Sequence, residues 1–259
     1  MLLFSNQHSN IKNLFNVLLA LIPISFILGN MAININLILI VISGLILFRG
    51  GIFKIRFYNL DNLIFAYFFL VLFTAVFNDY KLSQNLICGK ENFQTILKSI
   101  LFLKYLLLYL VLRFLFEKNI IDLKLFFITS SISVLFVSLD LFYQSIFGFD
   151  IFGFESLADG RKLSGPFGDE YIAGGYLQRF SLFAFFLIPL FYSRYNSISK
   201  IVVPLLVIVF LLAIILSGNR MPMILFIFTL FLVLIFQKQT RKFFLPFVLA
   251  FSILFFLAF

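Results

Sequence analysis

Apolar runs of about twenty residues recur along nearly the whole chain, and they constrain its fold more than any other feature. An α-helix needs about 20 such residues to cross ~30 Å of hydrocarbon. The predicted spans are 13–29, 31–48, 60–77, 96–116, 123–147, 173–192, 200–217, 221–236 and 243–259. Because 63% of residues are hydrophobic and only 12% are charged, the composition is that of a lipid-embedded chain. The sequence predicts an all-α, polytopic membrane protein with about nine transmembrane helices, in one transmembrane domain over residues 1–259.

Lysine and arginine are distributed unequally between the predicted loops. With the N-terminus in the cytoplasm, 12 of the 20 basic residues lie in inner segments and seven in outer ones, and Lys104 lies within a span. Basic residues concentrate on the cytoplasmic side of membrane proteins, so this orientation is favoured. The net charge of +9 is explained by loops at a membrane surface, and we expect membrane lipids, not nucleic acid, as partners. The outer face then carries residues 148–179 and Arg220.

The longest polar interruption of this apolar chain is the segment 148–179, which holds seven of its 13 glycines. Arg161 and Lys162 form a basic pair within it, and Asp169 and Glu170 precede the next predicted helix. Acidic groups near a helix N-terminus complement the helix dipole. The two acids are therefore interpreted either as helix caps or as carboxylates placed near a substrate hydroxyl or a basic partner.

A very short turn, Leu216-Ser-Gly-Asn-Arg-Met-Pro222, separates two predicted spans. Proline is tolerated in the first turn of a helix, so Arg220 is predicted at a helix N-terminus on the membrane surface. Free backbone N–H groups together with a guanidinium favour a phosphate or another anion. The alternative interpretation is an anchor that reaches to the lipid headgroups.

Two charged residues, Lys104 and Asp140, fall inside predicted spans. Isolated charges are expensive in hydrocarbon, so each must face protein or find a partner. We hypothesise that they pair with each other, and that Gln144 lies on the same helix face as Asp140. Such a pair could support a nearby site or could be structural without any catalytic role.

Several classes of enzyme find no support in the sequence. It contains no Walker A loop, HExxH, GxSxG or zinc-ligand spacing, and its one cysteine is Cys88, so we propose no ATP hydrolysis, no metal site and no cofactor. The single histidine, His8, lies in the polar N-terminus and is interpreted as a solvated tail residue.

Two stretches together resemble the superfamily of O-antigen ligases and O-antigen polymerases. The first stretch comprises Asp140-Leu-Phe-Tyr-Gln144, Gly148-Phe-Asp150, Arg161-Lys-Leu-Ser-Gly-Pro-Phe-Gly-Asp-Glu170 and Gly175-Tyr-Leu177. The second, Leu216-Ser-Gly-Asn-Arg220, is similar to the Ser-Gly-Ser-Arg stretch of that superfamily, with Asn219 in place of the usual serine. Counted through from Asp140 to Leu177, and from Leu216 to the end of the apolar span that follows Arg220, the two stretches cover about a quarter of the chain.

This resemblance implies an enzyme of the bacterial inner membrane that acts in lipopolysaccharide or other polysaccharide biosynthesis. Such enzymes transfer a glycan from undecaprenyl pyrophosphate to a lipid A-core or glycan acceptor at the periplasmic face, without a metal or a nucleotide sugar. Arg220 matches the motif arginine that binds the pyrophosphate, Arg161 is the candidate second arginine and Arg179 the next. The supporting residues on this interpretation are Asp169, Glu170, Asp140, Gln144 and Lys104.

The chain departs from this family in one respect, because no histidine follows His8. The family's catalytic histidine lies in a large loop that would come after the span ending at Phe259. We therefore expect an N-terminal portion of a longer enzyme, or a chain that is inactive as it stands. The rival functions are a transporter or flippase of a lipid-linked or anionic solute, and a structural membrane subunit. Polar residues concentrated at the outer end favour the enzyme.

Overall fold

The chain is an all-α, polytopic membrane protein. The computed structural model describes residues 2–48, 51–52, 56–84, 94–155, 162–192 and 196–236. The α-helices within these ranges are α1 (Leu2–Ala20), α2 (Ile22–Ile27), α3 (Asn30–Phe48), α4 (Asn59–Gln84), α5 (Gln94–Glu117), α6 (Lys124–Phe147), α7 (Ala173–Tyr192), α8 (Asn196–Leu216) and α9 (Arg220–Phe236).

Five stretches of the described residues are long and apolar enough to cross a membrane: Asn10–Ile27, Asn30–Phe48, Asn59–Tyr80, Gln94–Glu117 and Lys124–Phe147. Two shorter apolar helical stretches are Leu205–Leu216 and Arg220–Val233. A multi-pass membrane protein is thereby confirmed, whereas the count of about nine spans stays a prediction. The predicted span 243–259 lies outside the described residues.

The first predicted span is divided in the structure. Leu21 forms a turn between α1 and α2, and Pro23 lies in the first turn of α2. Proline has no N–H to donate to the preceding turn, so the helix breaks there. The predicted span 13–29 agrees with the candidate membrane span Asn10–Ile27, which contains this break.

The chain divides into two compact units. The first comprises the described residues within Met1–Leu19 and Ile33–Asp122, and the second those within Ala20–Ala32 and Leu123–Phe259. The prediction of a single domain over 1–259 is not tested by this division and stays a prediction.

The first unit packs around an aromatic and aliphatic core. Phe15, Ile40, Val111 and Leu115 are all fully buried. Gly44 of α3 lies directly against the Val111 side chain of α5, and the missing side chain is what allows this close approach.

The second unit is built from α2 and α6 to α9. Its core contains fully buried side chains from each of the four long helices, including Val137, Leu177, Ile214 and Phe226. This core fixes the ends of α6, α7, α8 and α9, where the polar segment and the α8–α9 turn begin or end.

Candidate functional site

The chain between α6 and α7, here called the polar segment, is described over residues 148–155 and 162–172. Two buried polar side chains of α6 bind it to that helix. Asp140 Oδ1 accepts a hydrogen bond from the Ile151 amide at 2.8 Å. Gln144 Oε1 accepts one from the Gly165 amide at 2.9 Å. Asp140 is 0% exposed and Gln144 1% exposed. Because a buried polar group needs a partner, these bonds fix two distant points of the segment onto one face of α6.

The start of the segment forms a turn of its own. Gly148 ends α6 in a left-handed conformation with φ 83°, which glycine adopts without steric cost. Asp150 is fully buried, and its Oδ1 accepts a hydrogen bond from the Phe154 amide at 2.6 Å. The chain therefore folds back near the end of α6.

The second part of the segment packs tightly on α6. Gly165 begins a 3₁₀ turn, Gly165–Phe167, at a φ of 56°. A Cβ on Gly165 would lie 3.3 Å from two Leu141 carbons and 3.6 Å from Asp140 Oδ2. Both the conformation and the close approach therefore select glycine at this position.

Asp169 and Glu170 lie before α7 and not within its first turn, which contains no acidic residue. The Ile172 amide donates to the Glu170 carbonyl at 2.9 Å, so residues 171–172 form a turn before the helix begins at Ala173. Both acids therefore precede the helix, and their role, as helix caps or as carboxylates near a substrate hydroxyl, stays a prediction. Both side chains are exposed, and Glu170 Oε1 lies 3.4 Å from the side-chain nitrogen of Asn30.

Arg220 is the first residue of α9, as the sequence predicted, and its side chain is exposed. Two backbone hydrogen bonds close the turn before it. The Ser217 amide donates to the Ala213 carbonyl and the Gly218 amide to the Ile215 carbonyl, each at 3.0 Å. Gly218 has a φ of 69°, which a side chain would disfavour. The guanidinium is therefore carried on a short turn whose backbone is internally bonded.

This turn is joined to the start of α7 by two contacts. The Asn219 side-chain amide donates to the Tyr171 carbonyl at 2.9 Å. A Cβ on Gly174 would collide with Ser217 Oγ and would lie 3.1 Å from Asn219 Cβ. The polar segment and the Arg220 turn thus form one assembly within the second unit.

A cavity of about 300 Å³ opens where these elements meet. Its apolar wall includes Phe26, Phe180 and Pro222, and its polar lining includes Asn219 and Arg179. Arg220 lies in sequence between Asn219 and Pro222, which both line the cavity. The cavity therefore combines an apolar surface with a guanidinium, a combination suited to an amphipathic anion.

A further cation lies beside the cavity. The Lys162 ammonium is 5.7 Å from the centroid of the Tyr171 ring, within the range of a cation–π interaction, and Tyr171 lines the cavity. Arg161, the candidate second pyrophosphate ligand, lies outside the described residues. Of the other predicted site residues, Arg179 lines the cavity and Arg220 begins α9 beside it. Asp140 and Gln144 hold the polar segment, and Asp169 and Glu170 lie in that segment just before α7.

Lys104 and Asp140 belong to different units. The Lys104 ammonium donates to Asn34 Oδ1 at 2.5 Å within the first unit, and Asp140 bonds the polar segment within the second. The hypothesised ion pair between them stays a prediction. Sequence reasoning did not connect Asn34 to Lys104, although the cluster of asparagines near the start of α3 was a signal.

No group of three or more His, Cys, Asp or Glu side chains suited to a metal ion occurs in the part of the chain that the structure describes. Sequence reasoning missed Tyr171 and the role of Asn219 as a bridge. The asparagine in the turn was itself the available signal, because its side-chain amide can donate to a neighbouring backbone carbonyl.

No protein-family model, curated protein or solved structure matches this chain. The fold and the site define its class as an all-α, multi-pass membrane protein with an amphipathic cavity in its second unit.

Proposed function

We propose that this protein is an O-antigen ligase-like or polymerase-like glycosyltransferase, and that the cavity of the second unit receives the pyrophosphate of a lipid-linked glycan donor. The observation that carries the proposal is the meeting of Arg179, the Arg220 turn and an apolar wall at one cavity. Asn219 of the second motif stretch bonds the carbonyl of Tyr171, the residue that directly follows Glu170 of the first stretch.

The apolar wall supports a lipid-linked donor over a soluble nucleotide sugar. Phe26 and Phe180 are in T-shaped contact, with ring centroids 5.5 Å apart, and both line the cavity. Such a wall can hold the first isoprenoid units of a carrier while the charged head reaches the arginines. Arg179 lies six residues into α7, about 9 Å from its first residue.

The chemistry required of the arginines is stabilisation of a leaving group. An acceptor hydroxyl forms the new bond to the anomeric carbon, the bond from that carbon to the pyrophosphate oxygen breaks, and the electron pair stays on the pyrophosphate. Guanidinium groups chelate phosphate oxygens and hold the developing charge. The acceptor proton must pass to a base, for which the exposed carboxylates of Asp169 and Glu170 are the candidates in the polar segment.

The proposal places the protein in the bacterial cytoplasmic membrane with its N-terminus inside and the site at the periplasmic face. Its support is the excess of basic residues in the predicted inner segments. The partners are then the undecaprenyl-linked donor, a lipid A-core or glycan acceptor, and membrane lipids.

The test replaces Arg220 in cells that carry the gene and measures glycan attached to the cell-surface acceptor. Loss of one donor to developing charge costs about 10²–10³-fold in rate, so we expect Arg220→Ala to abolish detectable attachment. Arg220→Lys keeps the charge but loses the forked geometry, and we expect only partial recovery.

The matched control is Arg56→Ala, because Arg56 is an exposed arginine of the first unit. It should leave attachment unchanged. Undiminished attachment in Arg220→Ala, at a normal amount of protein in the membrane, would overturn the role assigned to Arg220.

A further inference from the structure

A second cavity, of about 390 Å³, lies in the first unit between α4 and α5. Its lining runs from Tyr67 to Asn78 on α4 and from Thr95 to Phe102 on α5. The cavity therefore lies between the second half of α4 and the first turns of α5.

Polarity changes along the length of this cavity. Asn78 and Lys98 lie at the end nearest the α4–α5 connection, whereas Val71, Tyr67 and Phe102 lie further along the helices. Asn78 and Tyr67 are 11 residues apart, which corresponds to about 16 Å along a helix. The cavity is charged at one end, and beyond that end its lining is mainly apolar with a few hydroxyl groups, which is the profile of a lipid molecule.

Other polar groups at this cavity are engaged within the helices. Thr74 Oγ1 donates to the Leu70 and Val71 carbonyls, at 2.9 and 3.0 Å. Ser99 Oγ donates to the Ile96 carbonyl at 2.7 Å. Thr95 is engaged through Asp79, the residue after Asn78, which hydrogen-bonds the Thr95 side chain and accepts from the Ile96 amide at 2.9 Å. Recognition of a headgroup therefore falls to the Lys98 ammonium and the Asn78 amide.

The apolar end is lined by aromatic rings. Tyr67 and Phe102 are in T-shaped contact with centroids 6.5 Å apart, and Ala75 leaves room between the helices because its side chain is small. An acyl chain can lie against these groups, since the helices are within a membrane-spanning pair.

We propose that this cavity binds an anionic phospholipid, with the lipid phosphate at Lys98 and Asn78 and one acyl chain along Val71 and Phe102. An ammonium at headgroup depth attracts anionic lipid, and the apolar lining alone would not distinguish it from a neutral lipid. The inference is independent of the proposed glycan transfer, because it concerns a different cavity in the other unit.

The experiment uses native mass spectrometry of the purified full chain with dioleoyl phosphatidylglycerol or dioleoyl phosphatidylcholine. We expect Lys98→Gln to weaken phosphatidylglycerol binding about five-fold, the effect of one lysine at an anionic lipid surface, and to leave phosphatidylcholine binding unchanged. Val71→Trp fills the apolar part of the cavity and should weaken binding of both lipids.

The matched control is Lys118→Gln, which removes a positive charge just beyond the opposite end of α5. It should leave the binding of both lipids unchanged. Unchanged phosphatidylglycerol binding in Lys98→Gln, or an equal loss in Lys118→Gln, would overturn the proposal. Displacement of phosphatidylglycerol by an equal concentration of undecaprenyl phosphate would overturn it in favour of the polyprenyl carrier.

Discussion

The two units bury carboxylates in opposite ways. In the first unit, Asp61 of α4 is 2% exposed and is surrounded by donors. The Tyr109 hydroxyl and the Tyr58 amide donate to it, the latter at 2.7 Å. Arg113 Nε lies 3.5 Å from its Oδ1. Asp61 therefore joins α4 to α5 through side chains that carry both hydrogen bonds and charge.

In the second unit, Asp140 and Asp150 are 0% exposed and are bonded to backbone amides instead. Each uses Oδ1 for that bond. The Oδ2 atoms of both are buried without a hydrogen-bond partner among the residues that the structure describes. These carboxylates hold the backbone of a loop, and no described cation lies against them as Arg113 does against Asp61.

The difference shows what each region is built to do. Side-chain partners tie two helices together and leave little that can interact further. Backbone partners fix the path of a loop and leave some of its side chains, such as Lys162, exposed for contact. We therefore expect substitutions at Asp61 and its side-chain partners to affect stability, and those at the loop and the α8–α9 turn to affect ligand binding as well.

We expect the largest difference in stability between two variants that neutralise one buried carboxylate each, Asp61→Asn in the first unit and Asp140→Asn in the second. Asp61→Asn loses the charge facing Arg113 and turns one acceptor oxygen into a donor, so it should lower the thermal midpoint of the purified protein markedly. Asp140→Asn can keep the acceptor for Ile151 and removes a charge from a buried site, so it should change stability by less than about 1 kcal/mol.

Thermal unfolding in detergent, followed by circular dichroism, measures both variants side by side. Equal losses in midpoint would show that the two carboxylates play the same structural role. A larger loss for Asp140→Asn than for Asp61→Asn would reverse the comparison.

A smaller effect distinguishes two neighbouring glycines of α7. Gly174→Ala drives a methyl group into Ser217 and Asn219, and overpacking of this kind costs about 1–3 kcal/mol. Gly175→Ala meets no atom within 4 Å and removes a flexible residue from a helix, so it should be neutral or stabilising by about 0.5–1 kcal/mol. The same unfolding measurement checks both, and a destabilisation by Gly175→Ala as large as that by Gly174→Ala would contradict the packing described at the turn.

The smallest effect concerns the hydrogen bond from the Asn219 side chain, in the α8–α9 turn, to the Tyr171 carbonyl just before α7. Asn219→Ala leaves the Tyr171 carbonyl without this partner and should cost about 1 kcal/mol in stability. Asn219→Ser keeps a polar side chain that is too short for this bond, and it should lower affinity for the proposed donor. If donor affinity is the same in all three proteins, the bridge does not position the site.

The sequence predicted the helices well where a long apolar run has a clear end. The predicted span 173–192 coincides with α7, and 221–236 begins one residue after α9 does. Apolar length decides these elements, because lipid allows few alternatives to a helix. The position of Arg220 at a helix N-terminus followed from the same reasoning, since the turn between two spans is so short.

Partners that are distant in sequence could not be predicted in the same way. Asp140 binds the Ile151 amide and Gln144 the Gly165 amide, whereas the sequence had suggested a charged partner for Asp140. Backbone amides are present at every position except proline, so composition does not reveal which of them a side chain will reach. The distribution of helices between two units was equally hidden, because each helix is apolar in the same way.

The most direct test of the central claim is the affinity of the purified protein for undecaprenyl pyrophosphate, measured by native mass spectrometry for the wild type, Arg179→Ala, Arg220→Ala and the double variant, with Arg56→Ala as control. A bidentate arginine–phosphate contact is among the stronger charge-assisted interactions. We predict that each single substitution at the cavity weakens binding at least about ten-fold, that the double variant binds more weakly than either, and that the control is unchanged. Equal affinity for all five proteins would contradict the assignment of this cavity as the pyrophosphate site.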